Sequence, residues 1–142
     1  MRFLVAPDSF KGSLSANSVG QIIKKAIVKE IPQAVVDVVP MADGGEGTID
    51  SLLIAMGGKK IELNVTGPTG DDVPVTYGIL GDGKTAVIEM AAIAGFSLVP
   101  KEKRNPFRLT TLGIGICIFD DLDRGYKRFI IGLRGSVTND GR

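Results

Sequence analysis

Phe3-Leu4-Val5-Ala6-Pro7-Asp8-Ser9-Phe10-Lys11-Gly12-Ser13 opens the chain with a short apolar run, a proline and a polar loop. An unbroken apolar run of this length suits a buried strand. Ser15 is a helix cap, and Val19, Ile22, Ile23, Ala26, Ile27 and Ile31 follow at the 3.6-residue period. That spacing predicts one apolar face, with Gln21, Lys24, Lys25 and Lys29 turned to water and Pro32 as the stop. A second Val-rich strand is predicted over 34–39, ended by Pro40. The loop Met41-Ala42-Asp43-Gly44-Gly45-Glu46-Gly47-Thr48 leads into a helix with Ile49, Leu52, Leu53 and Met56 on one face. Gly57-Gly58 ends that helix, and 59–65 reads as a third strand. Strand, loop, helix, repeated in this order, predicts an α/β fold with a parallel sheet and crossover helices.

The texture changes at Thr66-Gly67-Pro68-Thr69-Gly70-Asp71-Asp72, which is where the sequence divides into two units, 1–66 and 67–142. Beyond it, 73–80 and 85–90 read as a hairpin around Gly81-Asp82-Gly83-Lys84. Residues 101–104 form a charged loop. Thr110 or Thr111 opens a helix predicted to bury Leu112, Ile116, Phe119 and Leu122, Gly125 closes it, and 127–133 is a further strand. The last residues are dense in turn and ligand types, with no helix to cover the strand before them. An incomplete domain is therefore expected.

The 142 residues carry 17 Lys and Arg against 16 Asp and Glu, a net charge of +1. A chain built to hold nucleic-acid phosphate shows a strong basic excess, so that class is disfavoured. There is no histidine and a single cysteine, Cys117. Imidazole acid–base chemistry, His-based triads, His metal sites and intrachain disulfides are excluded. Cys117 lies among apolar residues and reads as a small core side chain. No apolar run approaches the roughly 20 residues that span a bilayer, and the N-terminus is too short for a signal segment. The cytoplasm is the expected location, with the sequon at Asn64 idle. The 19 glycines fall in loops, where glycine serves tight turns and close backbone approach to a ligand.

No Walker A or G-x-G-x-x-G fingerprint is present. Instead, three polar loops follow predicted strands, at the sheet edge where α/β folds bind ligands. In the first, Lys11 offers a cation, Ser9, Ser13 and the Gly12 backbone offer donors, and Asp8 can accept a proton or hold a metal. The alternative is an ordinary loop with an exposed lysine. In the second, Gly44, Gly45 and Gly47 interleave with Asp43 and Glu46 ahead of Thr48. That pattern suits backbone approaching an oxyanion and carboxylates on Mg²⁺ or a hydroxyl, with the helix N-terminus favouring a bound anion or Glu46 itself. A flexible turn with a capping Glu is the plain alternative. The third loop, Gly135-Ser136-Val137-Thr138-Asn139-Asp140-Gly141, reads as an anion cradle with a metal-holding Asp140, or simply as a helix cap. Glu89 ends an apolar run where an unpaired carboxylate is expensive, so it is an edge residue or a site residue. Arg104-Asn105-Pro106 can hold an anion or stand in solvent.

Taken together, 6–14 and 40–48, with Val65-Thr66-Gly67-Pro68, Ala86-Val87-Ile88-Glu89-Met90-Ala91, Arg104-Asn105-Pro106 and Ser136-Val137-Thr138-Asn139-Asp140-Gly141, closely resemble the bacterial glycerate kinase family. The resemblance implies ATP- and Mg²⁺-dependent phosphorylation of D-glycerate to a phosphoglycerate. It also implies a flavodoxin-like parallel-sheet domain made from both ends of a chain more than twice this long. A second α/β domain is inserted within it, and both are incomplete here. This sequence departs from the family pattern at Arg134, where a glycine is usual, and at Arg142. It departs again at Leu112, Ile114 and Ile116, where the family carries Tyr, Thr and Glu.

Phosphoryl transfer needs alignment and charge neutralisation, and it needs no histidine. On this reading Lys11 and the amides of Gly44, Gly45 and Gly47 face anionic oxygens, while Asp8 or Asp43 orients the glycerate hydroxyl and accepts its proton. Glu46 or Asp140 places Mg²⁺. Ser136, Thr138 and Asn139 contact nucleotide phosphate or substrate, and Ser9, Gly12, Ser13, Thr48, Glu89, Arg104 and Asn105 line the substrate or phosphate site. The competing expectations are a catalytically inert fragment that at most binds an anion or nucleotide weakly, and a regulatory or interaction domain. No nucleic-acid or membrane partner is expected.

Overall fold

Ser15 starts the first helix as its position suggests: its Oγ accepts the Ser18 N–H at 3.1 Å, in the N-cap geometry. In the computed structural model, which describes residues 1–139, that helix is α1 (Ala16–Glu30) and lies between two short parallel strands. These are β1 (Arg2–Val5) and β2 (Val35–Val38), paired from Arg2↔Val35 to Val5↔Val38. Gly20 sits where α1 crosses β2, and a Cβ there would run into Val38 Cγ1.

Only part of the predicted apolar face of α1 is covered. Ala16, Val19 and Gly20 are buried, while Ile22 is 55% exposed and Ile23 38%. Strands lie about 4.8 Å apart, so a sheet of two is too narrow to cover a whole helix face. Leu4 and Val35 stand exposed for the same reason.

α2 (Thr48–Met56) follows β2, and Gly57 caps its C-terminus at φ +68°, its N–H donating to the Leu53 carbonyl at 2.9 Å. The third strand departs from expectation. β3 (Gly58–Thr66) does not join β1 and β2; it pairs antiparallel with β4 (Asp72–Leu80) over nine residues, from Gly58↔Leu80 to Thr66↔Asp72. Residues 66–72 are the turn of this hairpin, with the Gly67 N–H donating to the Asp71 carbonyl at 2.8 Å. The passage from one sheet to the other falls at Gly57–Gly58.

β4 pairs antiparallel with β5 (Thr85–Glu89), as the predicted hairpin requires. β5 pairs in parallel with β6 (Arg128–Gly132), giving a second sheet in the order β3-β4-β5-β6. The crossover between β5 and β6 contains α3 (Met90–Ala94), three single 3₁₀ turns between 96 and 108, and α4 (Leu112–Asp123). β5 is buried on both sides, as parallel strands are: Ala86, Val87 and Ile88 have no exposure. On one face Val87 meets Ile49 of α2, and on the other Ile88 packs with Tyr77, Ile93 and Cys117.

The buried face of α4 is not the predicted one. Gly113, Ile114, Cys117 and Asp121 face the sheet, whereas Leu112, Phe119 and Leu122 are 56%, 70% and 44% exposed. Apolar residues surround most of this helix, so apolar period alone does not choose its side. Small residues choose it: Gly113 brings α4 against the Thr66 carbonyl, where a Cβ would not fit. Cys117 is a core residue, as expected. Among the described residues, no helix is long and apolar enough to cross a membrane.

Candidate functional site

The loop after β1 folds into a tight turn, with the Ser13 N–H donating to the Phe10 carbonyl at 2.8 Å and Gly12 at φ +74°. Lys11 stands at its tip with its side chain 68% exposed. Asp8 is exposed, and its Oδ1 accepts the Ser9 N–H at 2.6 Å. The Met41 N–H donates to the Pro7 carbonyl at 2.8 Å, tying the loop after β2 to the loop after β1.

Asp43 is the meeting point of three segments. Its Oδ1 accepts the Gly45 N–H at 3.1 Å. Its Oδ2 faces Lys11 Nζ at 3.9 Å and Arg134 Nη1 at 2.6 Å. The Arg134 N–H donates to the Gly44 carbonyl at 3.0 Å, and a Cβ on Gly132 would crowd that same carbonyl. The glycines are therefore needed for close approach, but of backbone to backbone: the loop after β2 rests on the end of β6.

Glu89, at the end of β5, is buried, and its Oε1 accepts the Ile49 N–H at 2.5 Å and its carboxylate that of Gly47. It fills the N-terminus of α2, the place expected for a bound anion or for Glu46. Burial raises its pKa above the usual carboxylate value against the pull of those two N–H groups. The amides of Gly45 and Gly47 thus serve protein carboxylates. Thr48 is buried too, its hydroxyl donating to the Gly45 carbonyl at 2.8 Å.

A cleft of about 990 Å³ opens beside this junction. Ser9, Lys11, Gly12, Ser13, Glu46, Gly47 and Glu89 line it, with Phe10, Met41, Ile54 and Pro74 as apolar wall. Asp43 reaches it through Lys11. Other expected site residues lie apart from it. Arg104 binds its own loop, Nε on the Val99 carbonyl and Nη2 on the Phe96 carbonyl, both at 2.9 Å. Asn105 Oδ1 caps a 3₁₀ turn by accepting the Phe107 N–H. The Ser136 and Thr138 hydroxyls lie 3.2 Å apart, and Thr138 is buried. Asn139 is exposed, and Asp140 lies outside the described residues. Among the described residues, no three carboxylate or thiol groups gather to hold a metal ion.

A family model described as the glycerate kinase family matches residues 3–142. The chain belongs to the glycerate kinase family. It is 52% identical over 141 residues to a glycerate kinase of Haemophilus influenzae and 51% identical to one of Bacillus subtilis. It is 49% identical to a glycerate 2-kinase of Escherichia coli. Each alignment covers 99% of this chain and 37% of the relative, so the chain spans little more than a third of their length. The crystal structure of a Salmonella typhimurium protein assigned as a glycerate kinase 2 superposes with a TM-score of 0.84 at 43% identity, covering 99% of this chain and 38% of that one.

Two features of this glycerate kinase family chain escape a reading of its sequence. Arg134 pairs with Asp43 across 91 positions, and no local pattern links them. Asp121 is fully buried with neither carboxylate oxygen hydrogen-bonded among the described residues. Its signal was the row Asp120-Asp121-Leu122-Asp123 on an otherwise apolar helix, where one carboxylate must turn inward.

Proposed function

We propose that this chain carries the substrate-anion part of a glycerate kinase site, for the ATP- and Mg²⁺-dependent phosphorylation of D-glycerate to a phosphoglycerate in the cytoplasm. One observation carries the reading: Lys11 and Asp43, from loops after two different strands, meet at 3.9 Å beside a cleft lined by both loops. Membership of the glycerate kinase family supports the choice of substrate. The reading treats 1–66 as part of one domain and 67–142 as the opening of a second, with the strand Gly58–Thr66 lying in the sheet of the latter.

Lys11 supplies positive charge for a carboxylate or phosphate, and its exposure leaves it free to follow the ligand. Asp43 orients a substrate hydroxyl and accepts its proton, since a carboxylate oxygen has room for a second partner. Asp8 is the other carboxylate at the rim able to do so. Bound ATP supplies the phosphoryl group. The described carboxylates do not form a metal cage by themselves, and Mg²⁺ commonly takes only one or two carboxylates beside phosphate oxygens. Glu46, exposed and lining the cleft, is a described residue of that kind (Asp50, also on the cleft, is paired with Lys60), with Asp140 beyond the described ones.

A second reading, anion binding without turnover, is favoured by the guanidinium of Arg134 on Asp43. A coupled assay with ATP, Mg²⁺ and D-glycerate separates the two. Turnover lost in Asp43→Asn supports the kinase reading with Asp43 as base. Binding of D-glycerate with no turnover favours the second.

A further inference from the structure

Resting on the glycerate kinase reading, we infer that Arg134 is a specificity-determining residue of this chain, which with Lys11 forms a two-cation receptor for a small oxyanion, the carboxylate of a hydroxy acid or a phosphate group. Both cations converge on one oxygen, Asp43 Oδ2, and so cannot stand farther apart than those two contacts together. Within this cluster one carboxylate faces two cations, an excess of one positive charge around Asp43, while the carboxylates of Asp8 and Glu46 stand elsewhere on the loops. Like charges held this close repel unless an anion joins them.

Arg134 has donors to spare. Its Nη1 is engaged on Asp43, and no other side-chain nitrogen of Arg134 has a partner among the described residues. The side chain is 61% exposed, and that of Lys11 is 68% exposed. A guanidinium presents its N–H groups as a planar fork matched to carboxylate and phosphate. Its placement is fixed from the backbone: the Arg134 N–H on the Gly44 carbonyl and Gly135 at φ +80° set the turn that aims the side chain at Asp43. Lys11 then supplies the mobile charge and Arg134 the directional one. The anion joins Asp43 between the two cations and does not displace it.

The test is calorimetric titration of the full chain, wild type against Arg134→Ala and Arg134→Lys, with D-glycerate, inorganic phosphate, ATP with Mg²⁺, and neutral glycerol. Unfolding midpoints verify that each variant is folded, which its exposed loop position favours. The expected result is a roughly 10- to 100-fold loss of oxyanion affinity in Arg134→Ala, partly regained in Arg134→Lys, with no glycerol binding in any form. Loss with D-glycerate alone identifies the carboxylate as the anion; loss with phosphate and ATP identifies the phosphoryl group. Equal or tighter oxyanion binding in Arg134→Ala overturns the inference, and the kinase reading survives if the wild type still binds D-glycerate and ATP. A wild type that binds none of the anions overturns both.

Discussion

Replacing Asp121 with alanine should stabilise this chain at pH 8 and change it little at pH 4. Asp121 sits on the inward face of α4 with no exposed surface and no hydrogen-bond partner for either oxygen among the described residues. The groups around it are Tyr77, whose hydroxyl donates to Asp120 Oδ2 at 2.6 Å, the Cys117 thiol, Asp120 and Arg124. Arg124 relieves it only in part, because its guanidinium hydrogen-bonds Asp120, at 2.8 Å and 3.3 Å, and acts on Asp121 through charge alone. Burial therefore pushes the Asp121 carboxyl from its ordinary 3.8 up to about 6. The folded state holds the proton more tightly than the unfolded chain. The group thus stabilises relatively below the unfolded value and loses that advantage as pH rises to the folded one. At 1.36 kcal/mol per pH unit the loss is about 3 kcal/mol, complete above about pH 7. In Asp121→Ala this term vanishes, and the small cavity left behind costs about 1 kcal/mol at every pH. Urea unfolding followed by circular dichroism from pH 4 to pH 8 measures it: the variant-minus-wild-type difference should rise by roughly 2–3 kcal/mol across that range, part of the change lying below pH 4. Asp121→Asn is the control, since it keeps the shape, cannot titrate, and should lose the same pH slope. A difference that stays flat with pH in both variants would refute the argument.

Three further outcomes follow from the packing. Tyr77→Phe removes the hydroxyl donated to Asp120 and should cost about 1–2 kcal/mol in urea unfolding. Gly132→Ala puts a Cβ against the Gly44 carbonyl, so it should cost about 1–3 kcal/mol and weaken anion binding by displacing Asp43, as unfolding and titration would show. The Cys117 thiol is buried and pushed up to about 12, so Ellman's reagent should not label it in the native chain but should label it fully in denaturant.

The sequence was most legible where structure is local. The cap at Ser15, the glycine stop at Gly57 and the turn at 81–84 each depend on residues within a few positions, and each was predicted where it occurs. Loop residues Lys11 and Asp43 stand out as candidates in the sequence because charge beside glycine has few structural uses, and the fold brings the two within 3.9 Å. What failed depended on partners far along the chain. Residues 59–65 look like a strand whichever sheet receives them, and only the hairpin turn at 66–72 commits them to β4. Glu89 announced itself as costly to bury, but its partner is a helix start 40 positions earlier. Arg134 reads in the sequence as a departure from the family's glycine, and only the fold sets its charge on Asp43.

These long-range contacts also explain how the two rims of the site are held. α2 follows β2 in the chain, yet it packs on the second sheet, with Ile49 and Leu53 against Leu80 and Val87. The loop that carries Asp43 therefore begins on the first sheet and is fixed by the second: Glu89 holds its far end through Ile49, and β6 holds its middle through Gly132 and Arg134. Lys11 belongs to the first sheet and meets Asp43 only at 3.9 Å, a weak contact between two partly solvated groups. Substitutions in β5 or β6 should consequently shift the carboxylate, whereas substitutions in β1 or α1 should shift the lysine. Their effects on anion binding converge only because the two groups meet beside the cleft that Lys11 lines.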